Sequence, residues 1–264
     1  MSLLATSPSD NRVQLIVYID RLASGGIDQL RQLLDAKFPS LFGGIHLLPF
    51  YFPIDGADAG FDPIDHTQVD PRLGDWSGIG ALSQNFTLMA DLIVNHVSRD
   101  CPQFQDFLNQ PDQSPFAGLF LTLESVFPKG ATESELLSIY RPRPGLPFTS
   151  VTFPQGLKRL LWTTFTPHQI DIDVEHPLGQ DYLEQILNRF ARAGIRMIRL
   201  DAAGYAIKRP GTSCFMIPET FQFIATISAR ARQLGIESLV EIHSHFLQQI
   251  EIAAHVDRVY DFAL

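Results

Sequence analysis

Short apolar runs alternate with helical patterns along most of this 264-residue chain. The runs are VQLIVY (13–18), GIHLLPF (44–50), LMADLIVNH (88–96), RMIRLDA (196–202), LVEIH (239–243) and RVYDFAL (258–264). Between them, apolar residues recur at the spacing of one helix face, as in Ile27, Leu30 and Leu34. Strands that alternate with amphipathic helices form a parallel sheet with right-handed crossovers. The order of elements therefore predicts an α/β fold.

Six such units suit either a doubly wound sheet or a (β/α)8 TIM-type barrel that lacks its last two strands. Titratable residues follow the third, fourth and fifth strands, at His96, Asp201 and Glu241, as they would around one rim of a barrel. The first strand-to-helix turn, RLASGG (21–26), does not fit a dinucleotide-binding fingerprint. We therefore predict an incomplete TIM-type barrel with six of eight strands.

The alternation stops after the third strand and returns before the fourth. Residues 97–178 are rich in Pro, Phe and polar residues without a clear period, and they include YRPRPGLPF (140–148). We predict that residues 1–96 form the first part of the barrel and that residues 97–178 form an inserted small domain B. Residues 179–264 would then continue the barrel with strands four to six.

Charge and composition exclude several classes of partner and site. A net charge of −9 and a pI near 5.3 provide no basic field for nucleic acid or an anionic membrane. The N-terminal residues lack the apolar core of a secretory signal and no run is long enough to span a membrane, which predicts a cytoplasmic protein. Cys101 and Cys214 show no metal-type spacing and are expected to be reduced thiols.

The fourth strand carries two charged residues on one face. Alternation along a strand places Arg199 and Asp201 on the same side, where unpaired charge would be costly. Asp201 and Glu241, on successive strand ends, match the carboxylate pair of a retaining glycosidase, whose two groups lie about 5 to 5.5 Å apart. Arg199 would hold Asp201 ionised and oriented. The alternative is a structural salt bridge without catalysis.

Three segments resemble, in order, signatures of the α-amylase clan, glycoside hydrolase family 13: DLIVNH (91–96), IRLDAAGY (198–205) and VEIH (240–243). Residues 55–76, 139–148 and 211–216 are similar to sucrose phosphorylase and its close relatives. The resemblance covers nearly the whole chain from Val13 onward. It implies a glycosyltransferase that moves a glucosyl group from sucrose or a related α-glucoside to inorganic phosphate.

The resemblance also assigns roles to residues. Asp201 would be the nucleophile and Glu241 the general acid and base, with no metal or organic cofactor. The residues expected to bind the glucosyl ring or line its site are Asp58, Phe61 as an apolar platform, His96, Arg199, Phe165, Gln169, Tyr205 and His243. Arg141 and Arg143, two apart in the stiff RPRPG run, carry planar forks suited to phosphate oxygens, and the resemblance favours Arg143.

The chain departs from this pattern at its end. Family members carry a third catalytic carboxylate beyond the sixth strand, and this sequence stops at Leu264. We expect a fragment of a longer protein with an open barrel edge, apolar strand surface left exposed and weak or no activity by itself. Pairing with another copy as a homodimer is the alternative. The rival functions are an α-glucoside hydrolase or transglycosidase of the same fold, and a non-catalytic sugar-binding fragment.

Overall fold

The structure is a computed structural model that describes residues 13–242 and 245–260. Its strands are, in chain order, β1 (Gln14–Val17), β2 (Gly44–Leu47), β3 (Tyr51–Phe52), β4 (Asp65–Val69), β5 (Thr87–Ile93), β6 (His96–Ser98), β7 (Phe148–Thr152), β8 (Lys158–Trp162), β9 (Gln169–Asp171), β10 (Ile195–Asp201), β11 (Glu237–Val240) and β12 (Arg258–Val259).

The α-helices are α1 (Ile19–Leu22), α2 (Ile27–Lys37), α3 (Trp76–Leu82), α4 (Pro102–Asn109), α5 (Leu123–Val126), α6 (Glu133–Ser138), α7 (Pro177–Arg192), α8 (Pro218–Gln233) and α9 (Phe246–Ala253). Both of the longest, α7 and α8, begin at a proline, which lacks the backbone N–H that a first helical position leaves unpaired. No helix within residues 13–242 or 245–260 is long and apolar enough to cross a bilayer.

Six strands form one parallel sheet in the order β1-β2-β5-β10-β11-β12. Every pairing in this sheet is parallel, so the six units predicted from the sequence are confirmed. The second, third and fifth predicted strands were too long at their C-terminal ends, and the fifth ends at Val240. The second ends at Leu47 and the third at Ile93, after which His96 begins the separate strand β6.

The two faces of the sheet differ, and the difference separates a barrel from a doubly wound sheet. Ile198 and Leu200 of β10 belong to the main apolar core, which also contains helix residues such as Leu187 and Ile224. The opposite face holds a small cluster of Met89, Met197 and Leu239, followed along β10 by Arg199 and Asp201. Helices pack on one face and polar groups gather on the other, as in a barrel wall with its interior.

The segment between β6 and α7 has its own small core. Leu121, Val126, Phe127, Ile139 and Trp162 are buried together with Cys214, which comes from the loop after β10. The hairpin β7–β8 supplies Trp162, and β9 pairs antiparallel with β6 so that Asp171 lies opposite His96. This is the region predicted as domain B. Helix α7 begins at Pro177, one residue before the predicted last residue of domain B, Leu178, and the domain boundaries remain predictions.

Apolar side chains are exposed on β1 and α9, as expected for an open edge. Val13 and Ile16 are 63% and 59% exposed, and Phe246, Leu247 and Ile250 are 50%, 59% and 64% exposed. Cys101 and Cys214 are buried free thiols, in agreement with the sequence prediction.

Candidate active site

One guanidinium group contacts three carboxylates at the C-terminal end of the sheet. Arg199 Nη1 donates to Asp91 Oδ1 at 2.6 Å and to Asp201 Oδ1 at 2.9 Å. Its Nη2 lies 3.1 Å from Glu241 Oε2. Asp201 and Glu241 therefore face the same side of the sheet and share one cation. The pairing of Arg199 with Asp201 predicted from strand alternation is confirmed.

The sheet register brings these groups together. Arg199 on β10 is the partner of Asp91 on β5, and Leu200 is paired with Val240, which directly precedes Glu241. Side chains two residues apart on a strand project to the same face, so Arg199 and Asp201 both reach the mouth of the barrel. Directly after Asp201 the chain adopts the left-handed conformation at Ala202, with φ of 57°. That conformation costs an alanine roughly 1 kcal/mol and is typical of functional sites.

Asp91 is completely buried behind the guanidinium. Its Oδ2 lies 3.2 Å from His46 Nε2, and its backbone carbonyl accepts a hydrogen bond from Tyr51 Oη at 2.7 Å. The same carbonyl lies 3.2 Å from His66 Nε2. Burial lowers the pKa of His66 to about 4, so this ring is neutral near pH 7 and adds no second cation. The contacts with His46, Tyr51 and His66 thus hold Asp91 in place, and Asp91 in turn positions Arg199.

The protonation of Asp201 corrects one sequence prediction. The pKa of Asp201 is raised to about 7; burial is the largest cause, Arg199 lowers the pKa, and the charges of Asp91 and Glu241 raise it. Arg199 therefore orients Asp201 but does not keep it fully ionised, because one guanidinium cannot neutralise three carboxylates. Burial lowers the pKa of Arg199, but Asp91, Asp201 and Glu241 together raise it above its ordinary value, so that the guanidinium stays charged.

A cavity of about 310 Å³ opens above these groups. This volume lies at the lower end of the range for small-molecule sites. Of the residues predicted from the sequence, eight line the cavity together with Arg143: Asp58, Phe61, His96, Phe165, Arg199, Asp201, Tyr205 and Glu241. The structure brings together both candidate catalytic carboxylates and most of the predicted sugar-binding residues.

Gln169 lies beneath the cavity wall instead of in it. Its Nε2 donates to Asp58 Oδ2 at 3.0 Å and lies 3.0 Å from His96 Nε2. His96 Nε2 also lies 2.9 Å from the carbonyl oxygen of Phe61. Burial lowers the pKa of His96, so the ring is neutral near pH 7. Gln169 therefore positions two lining residues. His243, the remaining predicted residue, lies outside the described residues.

Phe61 lies against the cation at the centre of the site. The guanidinium carbon of Arg199 is 5.6 Å from the centre of the Phe61 ring. A cation at this distance from an aromatic face is attracted to it, which helps to hold both groups at the cavity floor. The ring lines the cavity, as a platform for a sugar would.

Two aromatic lining residues were missed by the sequence analysis. Tyr140 and Phe215 stack with ring centres 4.4 Å apart, and Phe215 also lies 4.7 Å from the Tyr205 ring. The backbone N–H of Tyr140 donates to Ser213 O, which joins two distant loops. Both residues fall inside segments used for the resemblance, 139–148 and 211–216, and that location is the only sequence signal that points to them.

The two predicted phosphate-binding arginines share one cavity, and Arg143 alone also lines a second. Arg143 lines the main cavity beside Tyr140 and Tyr205. Arg141 does not line that cavity but lines a smaller one next to it, which Arg143 also borders. Both arginines of the Pro-rich loop therefore border the smaller cavity, and Arg143 borders the main cavity as well.

The aspartates of residues 62–70 have structural partners. Asp62 accepts hydrogen bonds from the backbone N–H groups of Ala57 and Asp58, and Asp70 pairs with Arg72 at 2.7 Å. Across the described residues, no group of three or more His, Cys, Asp or Glu side chains is arranged to hold a metal ion.

Comparison with known proteins matches residues 41–223 to the alpha amylase catalytic domain. Two curated relatives are named sucrose phosphorylase: one from Agrobacterium vitis at 59% identity and one from Bifidobacterium adolescentis at 51%, each over 96% of this chain. The chain covers 52% and 50% of their lengths, so it spans about half of the curated relatives it matches.

A solved structure shares the same fold over almost the whole chain. The crystal structure of sucrose 6F-phosphate phosphorylase from Thermoanaerobacter thermosaccharolyticum has a TM-score of 0.90 and 37% identity. The match covers 98% of this chain and 54% of that one. With the family match, the parallel sheet and the three ordered signatures, the chain belongs to the alpha-amylase family.

Proposed function

We propose that this chain carries the donor site of a retaining glucoside phosphorylase, which transfers a glucosyl group from sucrose or a similar α-glucoside to inorganic phosphate. The observation that carries the proposal is the shared contact of Asp201 and Glu241 with Arg199 at the floor of a cavity that Arg143 also lines. Two neighbouring carboxylates at one sugar site are what a retaining mechanism requires. Arg143 supplies the cation that an anionic acceptor needs in an acidic protein.

In the first step, a carboxylate oxygen of Asp201 attacks the anomeric carbon of the donor. The bond between that carbon and the glycosidic oxygen breaks, and Glu241 gives its proton to the leaving oxygen. The product is a β-glucosyl ester of Asp201 and the released alcohol. Asp201 must be ionised to attack, and Arg199 at 2.9 Å stabilises the ionised form as substrate binds.

In the second step, a phosphate oxygen attacks the same carbon from the opposite side. The ester bond breaks, Asp201 leaves as a carboxylate, and the proton of the attacking phosphate hydroxyl passes to Glu241. Two inversions give α-glucose 1-phosphate with retained configuration. Asp58, His96 and Phe61 line the cavity; in this proposal the first two bind sugar hydroxyls and Phe61 contacts the apolar face of the ring.

Sucrose is the donor we favour because the relatives at 59% and 51% identity are both named sucrose phosphorylase. Other relatives are named for sucrose 6(F)-phosphate and glucosylglycerol, at 38% and 36% identity. The choice among these donors is tested by offering each one in turn to the same preparation.

The test uses the protein encoded by the uninterrupted coding sequence that contains this chain. It is incubated with sucrose, with and without inorganic phosphate, and glucose 1-phosphate and free glucose are measured. We expect glucose 1-phosphate only with phosphate and little free glucose. Equal release of free glucose in both incubations would identify a hydrolase and overturn the proposal.

A further inference from the structure

Tyr260 reaches the central arginine from the sixth strand of the sheet. The register of β11 and β12 pairs Val240 with Val259, so Glu241 and Tyr260 follow at the same level of neighbouring strands. Glu241 contacts Arg199, and the side chain of Tyr260 forms a hydrogen bond with the same guanidinium. Guanidinium nitrogens only donate, so the hydroxyl oxygen of Tyr260 accepts this bond. The sequence analysis did not single out Tyr260.

The ring of Tyr260 packs against the apolar cluster on the inner face of the sheet. This cluster contains Met89, Met197 and Leu239. It lies beside Arg199, because Met197 and Arg199 are two residues apart on one face of β10. Packing restricts the ring, and a tyrosine packed in this way usually gives its hydroxyl a hydrogen-bond partner. The apolar cluster therefore helps to direct the hydroxyl of Tyr260 to the guanidinium.

The hydroxyl gives the guanidinium a fourth partner without a fourth negative charge. Arg199 has five N–H donors, more than its contacts with three carboxylates require. The pKa of Tyr260 is raised; burial is the largest cause, and Arg199 lowers the pKa. The charges of Asp91 and Glu241 also raise it. Tyr260 is therefore neutral near pH 7, so it does not add to the excess of negative charge around Arg199.

Tyr260 and Asp91 contact Arg199 from opposite sides of its strand. The strands lie in the order β5-β10-β11-β12, with Asp91 on β5, Arg199 on β10 and Tyr260 directly after β12. Between these two contacts, Nη1 of Arg199 donates to Asp201 at 2.9 Å, and Nη2 lies 3.1 Å from Glu241. A guanidinium held from both sides keeps both of these carboxylates in a fixed position.

We propose that Tyr260 is a positioning residue for the candidate catalytic carboxylates and that it acts through Arg199. The proposal rests on the proposed phosphorylase function and adds to it a residue that does not touch the substrate. Tyr260 is not among the residues that line the main cavity in the described part of the chain. Its hydroxyl holds the guanidinium where Asp201 can attack and Glu241 can transfer a proton. Loss of the hydroxyl should slow the chemical steps and leave substrate binding nearly unchanged.

Tyr260→Phe tests this role in the protein encoded by the uninterrupted coding sequence that contains this chain. Because the ring stays and only the hydroxyl is lost, kcat for glucose 1-phosphate formation should fall about tenfold, with the KM values for sucrose and phosphate within about twofold. Tyr182→Phe, which removes a hydroxyl on α7 outside the main cavity, is the matched control and should retain its kcat. A kcat within about twofold of the parent in Tyr260→Phe, or an equal loss in Tyr182→Phe, would overturn the positioning role.

A second measurement tests the contact without turnover. Tyr260 is replaced by 3-fluorotyrosine, which ionises at lower pH than tyrosine, and its ionisation is followed by fluorine NMR. Because Arg199 lowers the pKa of Tyr260, Arg199→Met should move the midpoint to higher pH. Because the charge of Glu241 raises that pKa, Glu241→Gln should move the midpoint to lower pH. Arg196→Met, which removes an exposed arginine at the start of β10, should leave the midpoint unchanged.

The two measurements separate this proposal from the proposed function. Midpoints that stay constant in Arg199→Met and Glu241→Gln would overturn the contact, whether or not the protein forms glucose 1-phosphate. Shifted midpoints with an unchanged kcat in Tyr260→Phe would overturn the positioning role and leave the phosphorylase in place. Shifted midpoints in a protein that forms no glucose 1-phosphate would overturn the phosphorylase, and with it the catalytic effect of Tyr260, while its hydrogen bond with Arg199 stood.

Discussion

At the scale of single residues, the site contains three carboxylates around one guanidinium group. Asp91, Asp201 and Glu241 surround the guanidinium of Arg199, so three carboxylates share one cation. Asp91 is fully buried and contacts both His46 and Arg199, whereas Asp201 faces the cavity with 13% of its side chain exposed. Burial, together with the charges of Asp91 and Glu241, raises the pKa of Asp201 to about 7, although Asp201 must be ionised to attack a sugar.

Replacing Asp201 by Asn should reduce glucosyl transfer by about 10⁴-fold or more. The amide keeps the size of the side chain but cannot form the ester intermediate. The rate of glucose 1-phosphate formation from sucrose measures the effect. Asp35→Asn, an exposed change on α2, serves as the control and should leave the rate unchanged. Turnover within tenfold of the parent in Asp201→Asn would remove this residue as nucleophile.

The pH dependence of kcat/KM should show an acid limb near pH 7. Because the pKa of Asp201 is raised to about 7, the reactive carboxylate is lost as the pH falls below that value, at about tenfold per pH unit well below it. The charge of Asp91 contributes to the raised pKa. Asp91→Asn should therefore move the acid limb to lower pH, and an unchanged limb in that variant would contradict the charge-sharing explanation.

The same pKa affects stability with a defined sign. Folding raises the pKa of Asp201 from 3.8 to about 7, so the protonated form favours the folded state. Its contribution is complete below about pH 4 and is lost as the pH rises through about 7. Asn cannot ionise, so the melting temperature of Asp201→Asn minus that of the parent should increase from pH 5 to pH 8. A constant difference over this range would be inconsistent with the raised pKa.

At the scale of elements, the barrel strands were predictable and the segment between them was not. Strands such as β5 and β10 are apolar and followed by periodic helices, so local pattern and tertiary structure agree. The elements between β6 and α7 are short and depend on distant partners. Trp162, for example, is buried with Cys214, and β9 is held by pairing with β6. Such contacts produce no periodic pattern of apolar residues in the sequence.

Dependence on contacts between distant segments also explains why the sequence analysis missed two residues that line the site. Arg199, Asp201 and Glu241 could be placed on one rim because strand alternation and strand order fix them. Tyr140 and Phe215 belong to two loops joined by a single backbone hydrogen bond, so only the tertiary structure reveals that they stack. That Arg143 lines the main cavity while Arg141 lines only the smaller one beside it is likewise visible only in the tertiary structure.

A buried ion pair connects this irregular segment to the barrel. Lys208 follows β10, and its Nζ lies 2.9 Å from Asp171 on β9 and 3.0 Å from Asn95 Oδ1. Lys208→Met should lower the free energy of unfolding by about 3 to 5 kcal/mol, because Asp171 would stay buried without its cation. The double variant Lys208→Met, Asp171→Asn should lose less than the sum of the two single variants.

Urea unfolding measures all three variants. The exposed pair between Arg159 and Asp112 provides the comparison, since Asp112 is 83% exposed and Asp112→Asn should change stability by less than about 1 kcal/mol. Additive losses in the double variant would mean that Lys208 and Asp171 do not stabilise the fold as a pair.

At the scale of the whole molecule, net charge and exposed apolar surface have opposite effects on association between copies of the chain. A net charge of −9 keeps copies of the chain apart, and salt weakens that repulsion. The exposed residues Phe246, Leu247 and Ile250 of α9 form an apolar face, while Gln249 and Ile252 of the same helix are buried. A helix with apolar residues on its outer side is typical of a surface that another protein segment covers.

We therefore expect the purified chain to associate with itself in a concentration-dependent way, more strongly at high salt. The double variant Leu247→Gln, Ile250→Glu should shift the sedimentation profile toward monomer, since it makes the exposed face of α9 polar. Leu137→Gln is the matched control, because Leu137 is 62% exposed on α6, outside this face. Association that is equally strong in the double variant, or equally reduced in the control, would mean that general surface hydrophobicity and not α9 drives it.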